Sequence, residues 1–188
     1  MRRRDVVVGG AALAAGCANV SNETTRRPIV IAHRGASAYR PEHTMSAYRL
    51  AISQGADFIE PDLVMTRDGV LVCRHENEIS ETTDVADRPE FASRRREQSV
   101  DTTTTTGWWV EDFTLAELKT LRCKERLPQL RPGNLAYNGQ DAVPTFAEAL
   151  SLAREAGVGI YPELKHPSFL RERGLDPVPA FIADVNAA

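Results

Sequence analysis

The sequence predicts an α/β protein of the TIM (β/α)8-barrel class, and three observations support this prediction. Short apolar runs recur along the chain, and segments of helix length with amphipathic spacing separate them. This alternation is typical of parallel strands joined by crossover helices. Four of the runs end in clusters of polar residues, and in barrels of this class the carboxyl ends of the strands carry the functional groups.

The alternation of strands and helices begins at residue 28. The first part of the chain carries three predicted strands and one helix, which are strands 28–32, 57–63 and 70–73 and helix 44–54. Gly55 is placed to end the helix, and Gly69 makes the turn between the second and third strands. We expect the strands to be buried members of one parallel sheet.

Residues from about 76 to 143 interrupt this alternation. They include a charge run at 94–97, a run of threonines at 102–106 and the pair Trp108-Trp109. One helix is predicted inside this segment, where Thr114 and Glu117 form a capping box. We interpret the segment as an insertion that folds over the strand ends.

A second capping box follows the insertion. Thr145 and Glu148 begin a helix that Gly157 ends. The next strand leads to Glu163, and a final helical segment begins near Pro177. A full barrel needs roughly 250 residues. We therefore expect residues 27–188 to form the N-terminal half of such a barrel, with the insertion at about 76–143 inside it.

Composition and the first twenty residues restrict the class of protein. The chain has 188 residues, 42% of them hydrophobic, and a net charge of −3, which argues against a nucleic-acid binder. Residues 1–20 predict an export signal of twin-arginine or lipoprotein type, because three arginines precede a short run of small apolar residues. The alternative is an amphipathic N-terminal helix. We expect a periplasmic protein, or one anchored at the cell envelope by lipid on Cys17.

Two carboxylates at one strand end predict a cation site. Glu60 and Asp62 are two residues apart on a predicted strand, so both side chains lie on one face. Such carboxylates repel each other unless a cation neutralises them, and oxygen ligands favour Ca²⁺ or Mg²⁺. Glu163, at another strand end, is the expected third ligand. A solvated turn is the alternative interpretation of any isolated Glu-x-Asp motif.

Two histidines and two cationic side chains complete the predicted chemistry. His33 and His75 follow different strands, and histidine is suited to act as general acid or general base near neutral pH. Arg34 and Lys165 add positive charge that can bind a phosphate, with salt bridges to Glu60 or Glu163 as an alternative or additional role. The combination predicts metal-assisted attack on a phosphate ester.

The same clusters resemble one known family. In order and spacing, His33-Arg34-Gly35, residues 41–44, Glu60-Pro61-Asp62, His75 and residues 162–165 resemble the glycerophosphodiester phosphodiesterase family. Residues 75–78 and 83–86, together with the long insertion, resemble its exported, periplasmic branch. The family usually has Asn where this chain has His43. We expect Glu42 and His43 to line the site, or His43 to orient Glu42.

The resemblance implies a TIM barrel that hydrolyses glycerophosphodiesters to an alcohol and glycerol 3-phosphate. It implies one divalent cation, Ca²⁺ or alternatively Mg²⁺. The roles that it implies are metal binding by Glu60, Asp62 and Glu163, acid–base catalysis by His33 and His75, and phosphate binding by Arg34 and Lys165. In similar enzymes the glycerol hydroxyl of the substrate attacks first, and water then opens the cyclic phosphate.

Two other functions stay open on the sequence. One is a related two-histidine phospholipase of the phosphoinositide or sphingomyelin type. The other is a surface lipoprotein that binds phosphate esters without catalysis, or the inactive product of a truncated gene. The insertion and the Glu163–Lys165 pair favour the glycerophosphodiester hypothesis over the phospholipase.

Overall fold

The computed structural model describes residues 27–188. The predicted export signal at residues 1–20, with Cys17, lies outside the described residues and stays a prediction. The strands are β1 (Ile31–His33), β2 (Phe58–Glu60), β3 (Asp62–Met65), β4 (Leu71–Cys73), β5 (Arg96–Val100), β6 (Thr103–Gly107), β7 (Gly159–Ile160) and β8 (Glu163–Leu164). The helices are α1 (Met45–Ser53), α2 (Leu115–Leu118), α3 (Phe146–Ala156), α4 (Pro167–Glu172) and α5 (Pro177–Ala187). None of these helices combines the length and the apolar character that crossing a bilayer requires.

Two small sheets position the strand ends. In the first, β2 lies between β1 and β7 and is parallel to both. In the second, β3 lies between β4 and β8. Pro61 is the single residue between β2 and β3, so the two sheets follow each other along one extended segment. The register sets His33 beside Glu60 and Asp62 beside Glu163, which brings four predicted site residues to neighbouring positions.

The expectation that all four apolar runs form one buried parallel sheet is wrong, because the strands divide between two sheets. It is also wrong in two further respects. First, β4 is antiparallel to β3. The chain reverses between them in a tight turn, in which the Thr66 N–H donates to the Val70 carbonyl at 3.0 Å, and such a turn cannot make a parallel crossover. Second, β1 is partly exposed, with Ile31 45% exposed. Among residues 27–188, β1 has only β2 as a strand neighbour.

The predicted helix signals are confirmed at three positions. The capping boxes of Thr114 with Glu117 and of Thr145 with Glu148 are both formed, at the starts of α2 and α3. Gly157 ends α3 in the left-handed conformation, with φ of 66°. These ends depend on contacts within a few residues, which is why the sequence alone predicts them.

The two faces of the β3–β4 hairpin contribute to two different apolar clusters. Leu63 and Leu71 pack with residues of α1 and α3 in the first cluster. Val64 and Val72, on the opposite face, pack with residues of the predicted insertion in the second. Successive strand residues point to opposite faces. The segment interpreted as an insertion therefore has an apolar core of its own and rests on the hairpin.

We expect Gly35→Ala to destabilise the protein more than Gly55→Ala. Both glycines have positive φ, 81° and 88°, which costs an alanine roughly 1–2 kcal/mol. At Gly35 an added Cβ would also lie 2.8 Å from the carbonyl carbon of Ala47 in α1, whereas at Gly55 it meets nothing within 4 Å. The clash should add about 1–3 kcal/mol to the loss.

Urea unfolding of the two variants and the wild type measures this difference. Equal losses for the two variants would show that α1 does not need the close approach of Gly35.

Candidate active site

Three ligand atoms meet where β1 and β2 end and β3 begins. One donor atom each from His33, Glu60 and Asp62 lies within 4.8 Å of the other two. Glu60 and Asp62 are buried and His33 is exposed. Among residues 27–188, the buried Oδ1 atom of Asp62 has no hydrogen-bond partner. A buried carboxylate oxygen is normally paired, so this donor set fits a hard divalent cation.

Glu60 and Asp62 differ in their affinity for protons. Burial raises the pKa of Glu60 to about 7, and the neighbouring Asp62 carboxylate adds to the effect. Burial also acts to raise the pKa of Asp62. The hydrogen bond from His43 and the charge of Lys165 outweigh burial and hold the pKa of Asp62 well below its usual range. A proton on Glu60 relieves the repulsion between the two carboxylates, and a cation would do the same.

His43 is fully buried and holds Asp62 in place. Its Nε2 lies 3.0 Å from Oδ2 of Asp62, and its Nδ1 lies 2.8 Å from the hydroxyl of Tyr48. Burial lowers the pKa of His43 to about 4, so the imidazole is neutral at pH 7. An ionised carboxylate only accepts, so Nε2–H donates to Asp62 and Nδ1 accepts from Tyr48. The hydrogen bonds of His43 thus orient Asp62, and Glu42 is held by other residues.

Two arginines hold the buried Glu42. The guanidinium of Arg34 lies 3.3 Å from Glu42 and, through Nε, 3.3 Å from Oδ2 of Asp62. On its other side Glu42 pairs with Arg126 at 3.2 Å. The position of Arg34 between two carboxylates orients a group that can bind a phosphate through parallel hydrogen bonds. Arg126 was not predicted, because nothing in the insertion sequence distinguishes it from other surface arginines.

Lys165 and Glu163 approach the site from β8. The Nζ atom of Lys165 lies 3.0 Å from Oε1 of Glu163 and 3.7 Å from Oδ1 of Asp62. The side chain of Glu163 is 58% exposed, and its carboxylate is not part of the compact donor group. Its place as third ligand therefore stays a prediction. The salt bridge to Glu163, which the sequence left as an alternative or additional role of Lys165, is formed.

His75 belongs to a chain of ionisable groups that reaches the hairpin formed by the antiparallel strands β5 and β6. Its Nδ1 lies 2.5 Å from Oε1 of Glu76, whose other oxygen is 3.8 Å from Nε2 of His166. Nδ1 of His166 lies 2.7 Å from Asp101, in the turn of the hairpin. The carboxylates of Glu76 and Asp101 raise the pKa of His166, and the two histidines lower the pKa of Glu76 well below its usual range.

His166 was missed at the sequence level. Its one signal was its position directly after Lys165, and that position did not show that it would meet Asp101, 65 residues earlier. Through His166, the insertion is connected to the residues around His75.

Comparisons with known proteins agree on one family. The model of the glycerophosphoryl diester phosphodiesterase family matches residues 33–181. A glycerophosphodiester phosphodiesterase of Arabidopsis thaliana is 47% identical over 79% of this chain and 40% of its own length. One of Haemophilus influenzae is 34% identical over 88% of this chain and 48% of its own length. The chain thus spans about half the length, or less, of these curated relatives.

A solved structure shares the fold. It is a phosphodiesterase from Oleispira antarctica in complex with the product sn-glycerol-3-phosphate. The TM-score is 0.61 and the identity 29%, with 85% of this chain and 52% of that chain covered.

We expect a divalent cation to stabilise the folded chain through Glu60 and Asp62. With Ca²⁺ at one hundred times its dissociation constant, the free energy of unfolding should rise by about 2.7 kcal/mol. Asp62→Asn removes the charge of a buried ligand and should abolish the gain. Glu155→Gln, at an exposed position of α3, is the matched control and should keep it. Thermal unfolding with and without Ca²⁺ measures the effect.

The same unfolding measurement distinguishes His33 from Glu163 as the third ligand. Loss of the Ca²⁺ effect in His33→Gln, but not in Glu163→Gln, would favour the compact group, and the reverse would favour the predicted set. A full Ca²⁺ effect in Asp62→Asn would contradict a cation site at this place.

Proposed function

The chain belongs to the glycerophosphoryl diester phosphodiesterase family, and we propose that it hydrolyses glycerophosphodiesters to an alcohol and glycerol 3-phosphate. The predicted family and the fold class of the TIM barrel are confirmed by the family model and the solved relatives. The observation that carries the proposal is the meeting of His33, Glu60 and Asp62 beside Arg34 and Lys165. The bound product in the Oleispira antarctica structure supports a small-molecule substrate of this class.

We propose that Glu60 and Asp62 hold one Ca²⁺ or Mg²⁺ ion and that Glu163 completes the set, which leaves His33 for proton transfer. The Oδ1 atom of Asp62, which accepts no hydrogen bond within residues 27–188, and the carboxylate oxygens of the pair support a hard cation. When bound, the ion supplies positive charge that neutralises the two carboxylates and a phosphate oxygen.

Arg34 and Lys165 would bind the phosphate. Both lie within 4 Å of Asp62, so a phosphate beside the carboxylate pair comes within reach of both cationic groups. Arg34 is preorganised, since Glu42 fixes its guanidinium and its backbone N–H donates to Oε2 of Glu60 at 2.9 Å. A fixed guanidinium needs little reordering when the charge on the phosphate oxygens grows.

His75 is set up to transfer a proton. Glu76 accepts from Nδ1–H of His75, which leaves Nε2 able to hold or release a proton. We propose that His33 and His75 divide the two proton transfers between them. One takes the proton of the attacking glycerol hydroxyl, and the other gives a proton to the departing alcohol, so that the cyclic phosphate and a neutral alcohol form.

Release of glycerol 3-phosphate from glycerophosphocholine tests the function. We expect Ca²⁺-dependent turnover that a chelator abolishes. His75→Asn keeps the size and polarity of the side chain but cannot titrate, so kcat should fall by about 10²- to 10⁴-fold. Glu155→Gln is the control for handling and charge and should keep the wild-type rate.

A folded sample that binds Ca²⁺ without releasing glycerol 3-phosphate would contradict catalysis by this chain. Binding of glycerol 3-phosphate without turnover would instead favour the non-catalytic binding protein.

We also propose that the protein is exported, on the pattern of arginines and small apolar residues at 1–20. Cell fractionation tests this proposal. Recovery of the unprocessed chain only in the cytoplasm would contradict it.

A further inference from the structure

A cavity of about 510 Å³ lies beside the active site, under the β5–β6 hairpin. Its walls are residues of the hairpin, the segment that follows His75, and the side chains of Trp109, Arg126 and His166. Two of these groups already contact the site: Arg126 pairs with Glu42, and His166 faces Glu76. The cavity is therefore continuous with the residues that surround the phosphate-binding groups.

The walls of this cavity are acidic. Four carboxylates line it, and they belong to Glu76, Glu78, Glu81 and Asp101. The cationic side chains in the lining are Arg126 and His166, so negative charge is in excess even when His166 is protonated. Both cations are also engaged by carboxylates, Arg126 by Glu42 outside the cavity and His166 by Glu76 and Asp101. The lining thus favours a positively charged occupant.

Two buried polar side chains in the wall are unsatisfied. Asn77 is 1% exposed and Thr82 is 7% exposed. Within the described part of the chain, Oδ1 of Asn77 and Oγ1 of Thr82 have no hydrogen-bond partner. Buried polar oxygens are rarely left unpaired, and those in a cavity wall indicate a bound polar group or ordered water. An amide oxygen can only accept, so Asn77 matches a donor or a cation.

We propose that this cavity receives the alcohol part of the substrate and favours alcohols that carry an ammonium group. The proposal rests on the proposed function, which places the phosphate near Arg34, and it further takes His75 as the histidine that gives a proton to the departing alcohol. Glu76, bonded to His75, forms part of the cavity wall, so an alcohol leaving from this position would enter the cavity. The excess negative charge of the lining attracts ammonium groups.

The test compares two substrates that differ in the charge of the alcohol, glycerophosphocholine and glycerophosphoglycerol. Glu81 lines the cavity with an exposed side chain, so Glu81→Lys should change its charge without removing a structural contact. We expect the ratio of kcat/KM for glycerophosphocholine over glycerophosphoglycerol to fall about five- to tenfold, mostly by a higher KM for glycerophosphocholine. Glu97→Lys makes the same charge change at an exposed position of β5 that does not line the cavity, and the ratio should stay within about twofold of wild type.

A second variant and a binding measurement make the test independent of turnover. Thr82→Val removes the unpaired hydroxyl at constant shape, and the same ratio of kcat/KM is measured for it. Calorimetric titration with choline should show saturable binding to the wild type and to Glu97→Lys, and at least about fivefold weaker binding to Glu81→Lys. Glycerol, which has no charge, should show no such difference between the variants.

The outcomes separate this inference from the proposed function. If neither substrate is hydrolysed but choline binds as described, the cavity proposal holds for ligand binding and the proposed function fails. If both substrates are hydrolysed with an unchanged ratio in Glu81→Lys and in Thr82→Val, and choline does not bind, the cavity proposal is overturned while the function stands.

Discussion

The buried carboxylate of Asp62 is the constraint on which the rest of the site depends. Burial of an ion costs several kcal/mol unless other groups pair with it. Asp62 accepts a hydrogen bond from His43 and pairs with Arg34 and Lys165. His43 and Arg34 lie in the β1–α1 loop, and Lys165 follows β8. Pairing the one charge of Asp62, at the start of β3, therefore brings three separate parts of the chain together. The Oδ1 atom of Asp62, which accepts no hydrogen bond within the described residues and faces Lys165 at 3.7 Å, is the oxygen available to a cation.

Burial sets the chemistry of the groups around this carboxylate. It keeps His43 neutral, which allows a single defined hydrogen bond to Asp62. It also raises the pKa of Glu60 to about 7. The Glu60–Asp62 pair therefore binds one proton more readily than it carries two negative charges. The same low polarity would strengthen the attraction between a bound phosphate and Arg34. Positioning and electrostatics at the site therefore have one physical origin.

The predicted insertion also contributes side chains to the surroundings of the site. Its apolar residues cover the outer face of the β3–β4 hairpin, while Arg126 pairs with Glu42 and Asp101 pairs with His166. Both polar contacts reach residues next to the predicted catalytic groups. The insertion thus forms one wall of the site, and the acidic cavity lies between this wall and the strand ends.

The sequence by itself determined the local features: the capping boxes, the glycine at the end of α3, the family, and the identity of the ionisable groups at the strand ends. Each depends on residues a few positions apart, or on a spaced motif that can be read directly. Only the tertiary structure decided the antiparallel pairing of β4 and the partners of His43, Arg126 and His166. The partners of Arg126 and His166 are 65 or more residues away along the chain. The burial that selects these partners exists only after the chain has folded. Patterns over a few residues carry no information on such contacts. The free energy of pairing a buried charge depends on which other groups are buried next to it, and the folded structure determines this.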